Sequence, residues 1–283
     1  MRILLTGRSG QVGGELVRAL APLGEVIAPG RAELDLLDPA AIGKAVSAAR
    51  PGLIVNAAAY TAVDRAESER AAAFAVNATA VGALAAAAGQ TGALLVHFST
   101  DYVFDGEKSA PYAEDDAPRP LGAYGESKLA GERAIADSGC RHLVFRTSWV
   151  YSPRGRNFLR AILAAAADGR ELRVVDDQRG APTPAHEIAG AVARALADPA
   201  LERKTGLYHL SMAGETTWHG FAAAILEAAG LENPLVAIRS EEYGAAARRP
   251  RNSLLDNSRL RRAFGIVLPD WREGLAAVVA AIH

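Results

Sequence analysis

The chain has a single cysteine, Cys140, among 283 residues. One thiol excludes an intrachain disulfide and a cysteine-based zinc cluster, and its default state is buried and inert in a reducing compartment. Charge of one sign is also missing: the formal net charge is −1. No global field therefore draws the chain to nucleic acid or to an anionic membrane, and any anionic ligand must be held by local groups. The N-terminus, MRILLTGRSG, lacks the charged, apolar and cleavage-site regions that follow one another in a signal peptide. The alanine-rich stretches are expected to be shorter than a membrane span or interrupted by polar residues. These absences predict a cytoplasmic globular protein with neither nucleic acid nor a membrane as partner. Half the residues are hydrophobic, and the length suits one large domain or a large and a small one.

What is present is an alternation of short apolar runs and helical patterns. Ile3–Thr6, Glu25–Ala28, Ala32–Leu36, Leu53–Asn56, Leu94–Ser99 and His142–Thr147 are predicted strands. Between them Gln11–Leu20, Pro39–Ala49, a long region over Glu67–Gln90, and Tyr124–Ser138 are predicted helices. Such alternation implies βαβ crossovers and a parallel sheet. Strands that are apolar throughout imply helices on both faces. The second half is less regular. Helices are expected over Asn157–Ala167, His186–Ala197, Trp218–Ala229 and Trp271–Ile282, with strands at Leu172–Val175 and Leu207–Leu210. The predicted fold class is α/β: a Rossmann-type doubly wound parallel sheet over residues 1–150, and a smaller α/β substrate lobe over residues 151–283, with chain crossing between the two.

Gly7, Gly10 and Gly13 form G-x-x-G-x-x-G at the first strand-to-helix turn. In a dinucleotide site one glycine turns the chain sharply, one lets backbone approach the pyrophosphate, and one lets helix pack on strand. The helix N-terminus then offers free N–H groups to phosphate. The competing reading is a glycine turn with no ligand. NAD enzymes of this fold place a carboxylate at the end of the second strand for the ribose hydroxyls. Here that strand ends Ala28-Pro29-Gly30-Arg31, with no carboxylate expected. Arg31 is either a partner for a 2′-phosphate, favouring NADPH over NADH, or a solvated loop charge.

Tyr124 and Lys128 form a Y-x-x-x-K pair, and residues four apart share a helix face. A free phenol titrates near 10 and is a poor acid–base at neutral pH. A neighbouring cation is expected to lower that value toward the operating range. Thr100 follows the fifth predicted strand, where ligands bind in parallel sheets. Its hydroxyl serves either a substrate carbonyl beside Tyr124 or a local turn. Asn56-Ala-Ala-Ala59 follows the fourth strand in the same layer, and its small side chains leave room for a cofactor.

GRSGQVGGEL, NAAAYTAVDRAE, VNATAVGALA, STDYVFDG, YGESKLAGE, RTSWVYSPRGRNF, DQRGAPTP and RRPRNSLLDNSRL together resemble the extended short-chain dehydrogenase/reductase superfamily and, within it, the dTDP-4-dehydrorhamnose reductase family. The resemblance implies NAD(P)H-dependent reduction of the C4 ketone of dTDP-4-dehydro-L-rhamnose, with Tyr124 as general acid, Lys128 its partner and Thr100 the third catalytic residue. It further implies that Gly10, Gln11 and Val12 meet the pyrophosphate and Asp35 and Leu36 the adenine. Ala59, Tyr60 and Thr61 would line the nicotinamide side, and Asp101 and Trp149 would contact the sugar. Trp149 is otherwise a packing residue. Arg248, Arg249 and Arg251 are either ligands for the substrate diphosphate or a solvated basic run. Relatives of this kind hold magnesium at a homodimer interface, and Glu15 and Glu187 fall in the matching stretches. Four alternatives remain: a reductase of another nucleotide-diphospho-sugar; an epimerase of one; a sugar dehydratase, from which Tyr102 departs; and a non-catalytic binding subunit like that of methionine adenosyltransferase.

Overall fold

The computed structural model describes residues 1–282. The first half runs β1 (Arg2–Thr6), α1 (Gln11–Leu20), β2 (Glu25–Ile27), α2 (Pro39–Ala49), β3 (Leu53–Asn56), α3 (Val63–Ser68), α4 (Arg70–Phe74), α5 (Ala80–Thr91), β4 (Leu94–Thr100), α6 (Ala123–Ser138) and β5 (His142–Thr147). The second half runs β6 (Val150–Tyr151), α7 (Phe158–Ala167), β7 (Leu172–Val175), β8 (Arg179–Gly180), β9 (Thr183–Pro184), α8 (Ala185–Leu196), β10 (Gly206–His209), β11 (Thr216–Thr217), α9 (Trp218–Ala229), β12 (Leu235–Ile238), α10 (Ser240–Tyr243), α11 (Ser258–Phe264) and α12 (Trp271–Ala280).

The central sheet has six strands in the order β10-β5-β4-β3-β1-β2, all parallel. Its strands alternate between two cores. Ile3, Leu5, Leu53, Val55, Val96, Leu143 and Phe145 face α1, α7, α8 and α9, while Leu4, Ile54, Leu95 and Val144 face α2, α5 and α6. Full burial of each such side chain contributes about 1.5–3 kcal/mol, which explains why nearly every strand position is apolar. Direction reverses between β1 and β3: the chain leaves β1 for β2 on one side and returns to β3 on the other. In open parallel sheets ligands bind outside the carboxyl ends of the strands at such a reversal. Two pieces of the second half join this layer. β10 pairs with β5 at the sheet edge, and α8 packs on α1.

Three expectations need correction. Ala32–Leu36 is a turn rather than a strand. Glu33 and Leu34 both donate N–H to the Gly30 carbonyl and the Glu33 carboxylate accepts the Gly30 N–H at 2.5 Å, so local bonds satisfy the backbone that a strand would need to pair. The region Glu67–Gln90 is not one regular helix. It breaks at Glu69 and passes through a π-helical turn at Ala75–Thr79. Finally, the run Arg70–Thr91, 22 residues, is long and apolar enough to cross a membrane by length and composition. It instead packs against α2 and α6. The short strands β8, β11 and β12 and helix α11 carry no periodicity that marks them in the sequence.

The glycine turn sets the strictest packing limit in the domain. A Cβ on Gly13 would collide with the Gly7 carbonyl, which is backbone and cannot move aside. Gly13→Ala is expected to cost on the order of 3 kcal/mol, read as a lower midpoint in urea denaturation. A loss under about 1 kcal/mol would contradict this packing.

Candidate active site

Gly7 closes β1 with φ +80°, a backbone conformation that disfavours residues with a Cβ. A Cβ there would meet the Ala57 and Ala58 backbone at 2.5–2.7 Å, so the β1 turn lies directly on the end of β3. At Gly10 an added Cβ meets only the Gly7 oxygen, at 3.3 Å, and that residue's outer side is open. No side chain caps the N-terminus of α1. Uncapped N–H groups beneath an open glycine fit a pyrophosphate. Val12 packs on the core below, and the Gln11 carboxamide is held by Asn157 at 2.8 Å. With its oxygen engaged, Gln11 has its backbone N–H and its amide nitrogen to offer.

The adenosine end differs from expectation. A carboxylate does stand at the end of β2, because the turn folds Glu33 back onto Gly30. Arg8 sits over the same glycine, 3.6 Å from Glu33. Sequence spacing alone hid both, since Glu33 lies beyond the strand end and Arg8 inside the glycine motif. Arg31 is exposed and makes no ion pair among the described residues. The Asp35 carboxylate accepts the Leu37 N–H at 3.0 Å, and Leu36 packs half-buried on the α2 side.

Thr100, Tyr124 and Lys128 converge at the carboxyl end of β4. Thr100 and Lys128 are buried and Tyr124 is half-buried. Burial pushes the Tyr124 phenol up to about 12; a hydrogen bond with Thr100 opposes this and the Asp101 carboxylate adds to it. The phenol is thus not pulled toward neutrality by its lysine in the ligand-free chain. The reason is geometric: Lys128 Nζ donates to the Phe98 carbonyl at 2.6 Å and lies 3.1 Å from His97 Nε2. Burial lowers Lys128 to about 8, partly opposed by Glu132. Tyr102 packs edge-on against Tyr124, with ring centroids 5.5 Å apart.

Asn77, which sequence reasoning did not single out, joins the two halves of the site. From the π-helical turn its carboxamide accepts the Tyr60 N–H at 2.8 Å and donates to the Tyr60 carbonyl and Ser127 Oγ, both at 3.0 Å. Ser127 in turn donates to the Tyr124 carbonyl at 2.7 Å. The loop Ala59–Tyr60–Thr61 is thereby fixed relative to the tyrosine helix. π-helical turns recur at functional sites because they redirect one side chain without ending the helix. The signal in the sequence was a lone asparagine inside an alanine-rich helix.

Other expected residues scatter. Arg249 is not free: it forms a two-pronged pair with Asp64 at 2.7 and 3.1 Å. Arg248 is exposed and makes no ion pair among the described residues, and Arg251 reaches Glu241 at 3.4 Å. Arg251, Arg179, Arg239 and Lys108 line a cleft of about 650 Å³ that also holds Asp176, Asp177 and Glu241. Trp149 has φ +47° and is 8% exposed; its ring stacks on Trp218 at 3.6 Å, and Gly180 lies against its edge. Glu15 is neutralised by Arg18 at 2.6 Å and Arg154 at 3.0 Å, while Glu187 lies 3.6 Å from His186. No group of three candidate metal ligands forms among the described residues. Magnesium at Glu15 would have to displace two guanidinium groups.

The family profile described as the RmlD substrate binding domain matches residues 1–283. The chain is similar to the dTDP-4-dehydrorhamnose reductase of Burkholderia thailandensis, 51% identical, covering 99% of this chain and 98% of that one. The enzyme of the same description from Shigella flexneri is 47% identical, over 97% and 96%. The crystal structure of dTDP-4-dehydrorhamnose reductase from Bacillus anthracis in complex with NADP superimposes with a TM-score of 0.94 at 34% identity, covering 99% of each chain.

The buried Asp101 carboxyl generates a stability prediction. Burial raises it from 3.8 to about 6, against hydrogen bonds from Ser253 and Thr100. Because the folded value exceeds the unfolded one, the chain loses stability as pH rises from about 4 to about 6, on the order of 3 kcal/mol in all. Asp101→Asn is expected to abolish that component. Urea midpoints at pH 4 and pH 7 read it, and an unchanged pH dependence in the variant would contradict the buried carboxyl.

Proposed function

Because this chain belongs to the RmlD substrate binding domain family, we propose that it is an NADPH-dependent oxidoreductase that reduces the C4 ketone of dTDP-4-dehydro-L-rhamnose to dTDP-L-rhamnose, a nucleotide sugar for polysaccharide biosynthesis. The observation that carries this reading is the convergence of Thr100, Tyr124 and Lys128 beside the open glycine turn. A phenol held near 12 remains protonated at neutral pH and meets the substrate as a donor. Tyr124 gives its proton to the C4 oxygen as that oxygen gains charge, and the Thr100 hydroxyl donates a second hydrogen bond to the same atom. Lys128 in its ammonium form stabilises the phenolate left behind. NADPH, when bound, supplies the hydride.

Gly7 and Gly10, with the backbone of Gln11 and Val12, would hold the cofactor pyrophosphate. Arg8 and Arg31 would take the 2′-phosphate, and Asp35 and Leu36 would flank the adenine. Glu33 offers a carboxylate to unphosphorylated ribose, which leaves NADH usable. Ala59, Tyr60 and Thr61 would form the nicotinamide wall that Asn77 fixes. Residues 151–282, apart from α8 and β10, form the proposed substrate lobe. In it Arg248 and the cleft arginines hold the diphosphate, while Arg249 acts through Asp64 to shape the Tyr102 side. Asp101 and Trp149 would meet the sugar. A cytoplasmic enzyme suits the lone buried thiol of Cys140. Pairing into a homodimer rests on the resemblance alone.

Turnover of dTDP-4-dehydro-L-rhamnose, followed by NADPH and NADH oxidation with identification of the product sugar, tests the reading. Absence of turnover by folded protein would overturn it. Arg8→Ala is expected to lower kcat/KM with NADPH tenfold or more, about the worth of one charge-assisted contact, while changing NADH by less than about twofold. An equal loss with both cofactors would remove Arg8 from the 2′-phosphate.

A further inference from the structure

A row of buried polar groups runs beneath the site and ends on Lys128. Thr6 Oγ1 donates to Asn56 Oδ1 at 2.6 Å, and the Ala58 N–H donates to the same oxygen at 3.2 Å. Asn56 Nδ2 lies 3.1 Å from His97 Nδ1, and His97 Nε2 lies 3.1 Å from Lys128 Nζ. Asn56 and His97 are each 1% exposed, and Lys128 2%.

Donor and acceptor counting fixes the protons. A backbone N–H can only donate, so the side of Asn56 facing Ala58 must be the oxygen, and its amide nitrogen faces the imidazole as a donor. His97 Nδ1 therefore accepts and carries no proton. A neutral imidazole then bears its hydrogen on Nε2, which points at Lys128 Nζ. That contact is matched only if Nζ presents a lone pair; an ammonium would set N–H against N–H.

We propose that His97 is a positioning residue that keeps Lys128 a neutral amine in the ligand-free chain, and that Lys128 becomes the charged partner of Tyr124 only on turning away from the imidazole. The Phe98 carbonyl accepts from the amine in the resting arrangement. Burial holds His97 well below its ordinary value and Lys128 opposes its charging too, outweighing a hydrogen bond to the Asn56 backbone that favours the charged ring, so the imidazole does not take up the charge itself. Other charged groups on the elements around α6 are already committed. Glu132 pairs with Arg146, Glu67 accepts the Ala123 N–H, Arg70 pairs with Glu126, Asp64 with Arg249, Arg65 with Glu69, and Asp101 accepts from Thr100. The consequence for catalysis rests on the reductase reading; the protonation states do not.

Two measurements on ligand-free protein test the proposal without turnover, so their failure is separable from failure of the proposed activity. The first is the tautomer of His97 from imidazole nitrogen shifts in 15N-histidine protein. A neutral ring protonated on Nε2 is expected, and a ring protonated on Nδ1, or on both nitrogens at neutral pH, would overturn the proposal. The second follows the four lysines by 13C-lysine NMR against pH. Lys128 is expected to be deprotonated at neutral pH and so to titrate below it, further down than the value of about 8 to which burial brings it and far below the ordinary lysine value of about 10.4; a Lys128 still an ammonium at pH 7 would overturn the proposal. In His97→Gln, whose side-chain carbonyl offers the ammonium an acceptor, its proton affinity should rise tenfold or more. An unshifted Lys128 in a folded His97→Gln protein would overturn the proposal. If that variant does not fold, the tautomer of the native chain decides alone.

Discussion

One row of side chains at the carboxyl edge of the sheet answers to a single requirement: a polar group buried away from water needs a partner inside the protein. Thr6, Asn56 and His97 stand on adjacent strands at one level, paired across β1–β3 and β3–β4. Their hydrogen bonds continue into Lys128 on α6. A slip of one residue in any of these strands would turn a polar side chain to the opposite face and leave its partner unsatisfied. The row thus locks the register of the strands that carry the glycine turn, the Ala57–Ala59 loop and Thr100, and ties the tyrosine helix to them.

Above that row the site is built by close approach. Gly7 lies on the end of β3, Gly13 lies on Gly7, and Gly131 lets α6 approach the Asn77 carbonyl. Each contact replaces side-chain volume with backbone, bringing α1, the β3 loop and α6 around one opening. The second half closes it from the other side. Arg249 bonds to Asp64, and Trp149 stacks on Trp218. The strained backbone of Trp149 persists because the stacked ring and the side-chain-free edge of Gly180 hold it in place.

The sheet was legible because its signal is local. Short apolar runs such as Leu53–Asn56 and Leu94–Ser99, broken by glycine and separated by helix-length segments, leave few alternatives to a parallel α/β layer. The glycine turn and the Tyr124–Lys128 spacing were legible for the same reason. Ala32–Leu36 misled because its leucines alternate while its backbone closes on Gly30 through the Glu33 side chain, a bond that residue spacing does not encode. Glu33 and Arg8 were missed because they meet across a turn, and His97 because a single polar residue inside an apolar strand has no pattern. Arg249 counted as a free cation until its partner Asp64, far away in sequence, was brought beside it. The phenol's raised value was likewise invisible: spacing placed Lys128 on the face of Tyr124, but tertiary packing directed its Nζ to Phe98 and His97.

Tyr124 as the proton donor is the point on which the site's chemistry stands. Steady-state rates for Tyr124→Phe, measured alongside its NADPH dissociation constant, address it directly. Loss of the positioned acid is expected to lower kcat by about 10²–10⁴ with cofactor affinity nearly unchanged. A kcat within tenfold of the parent chain would place the donor elsewhere.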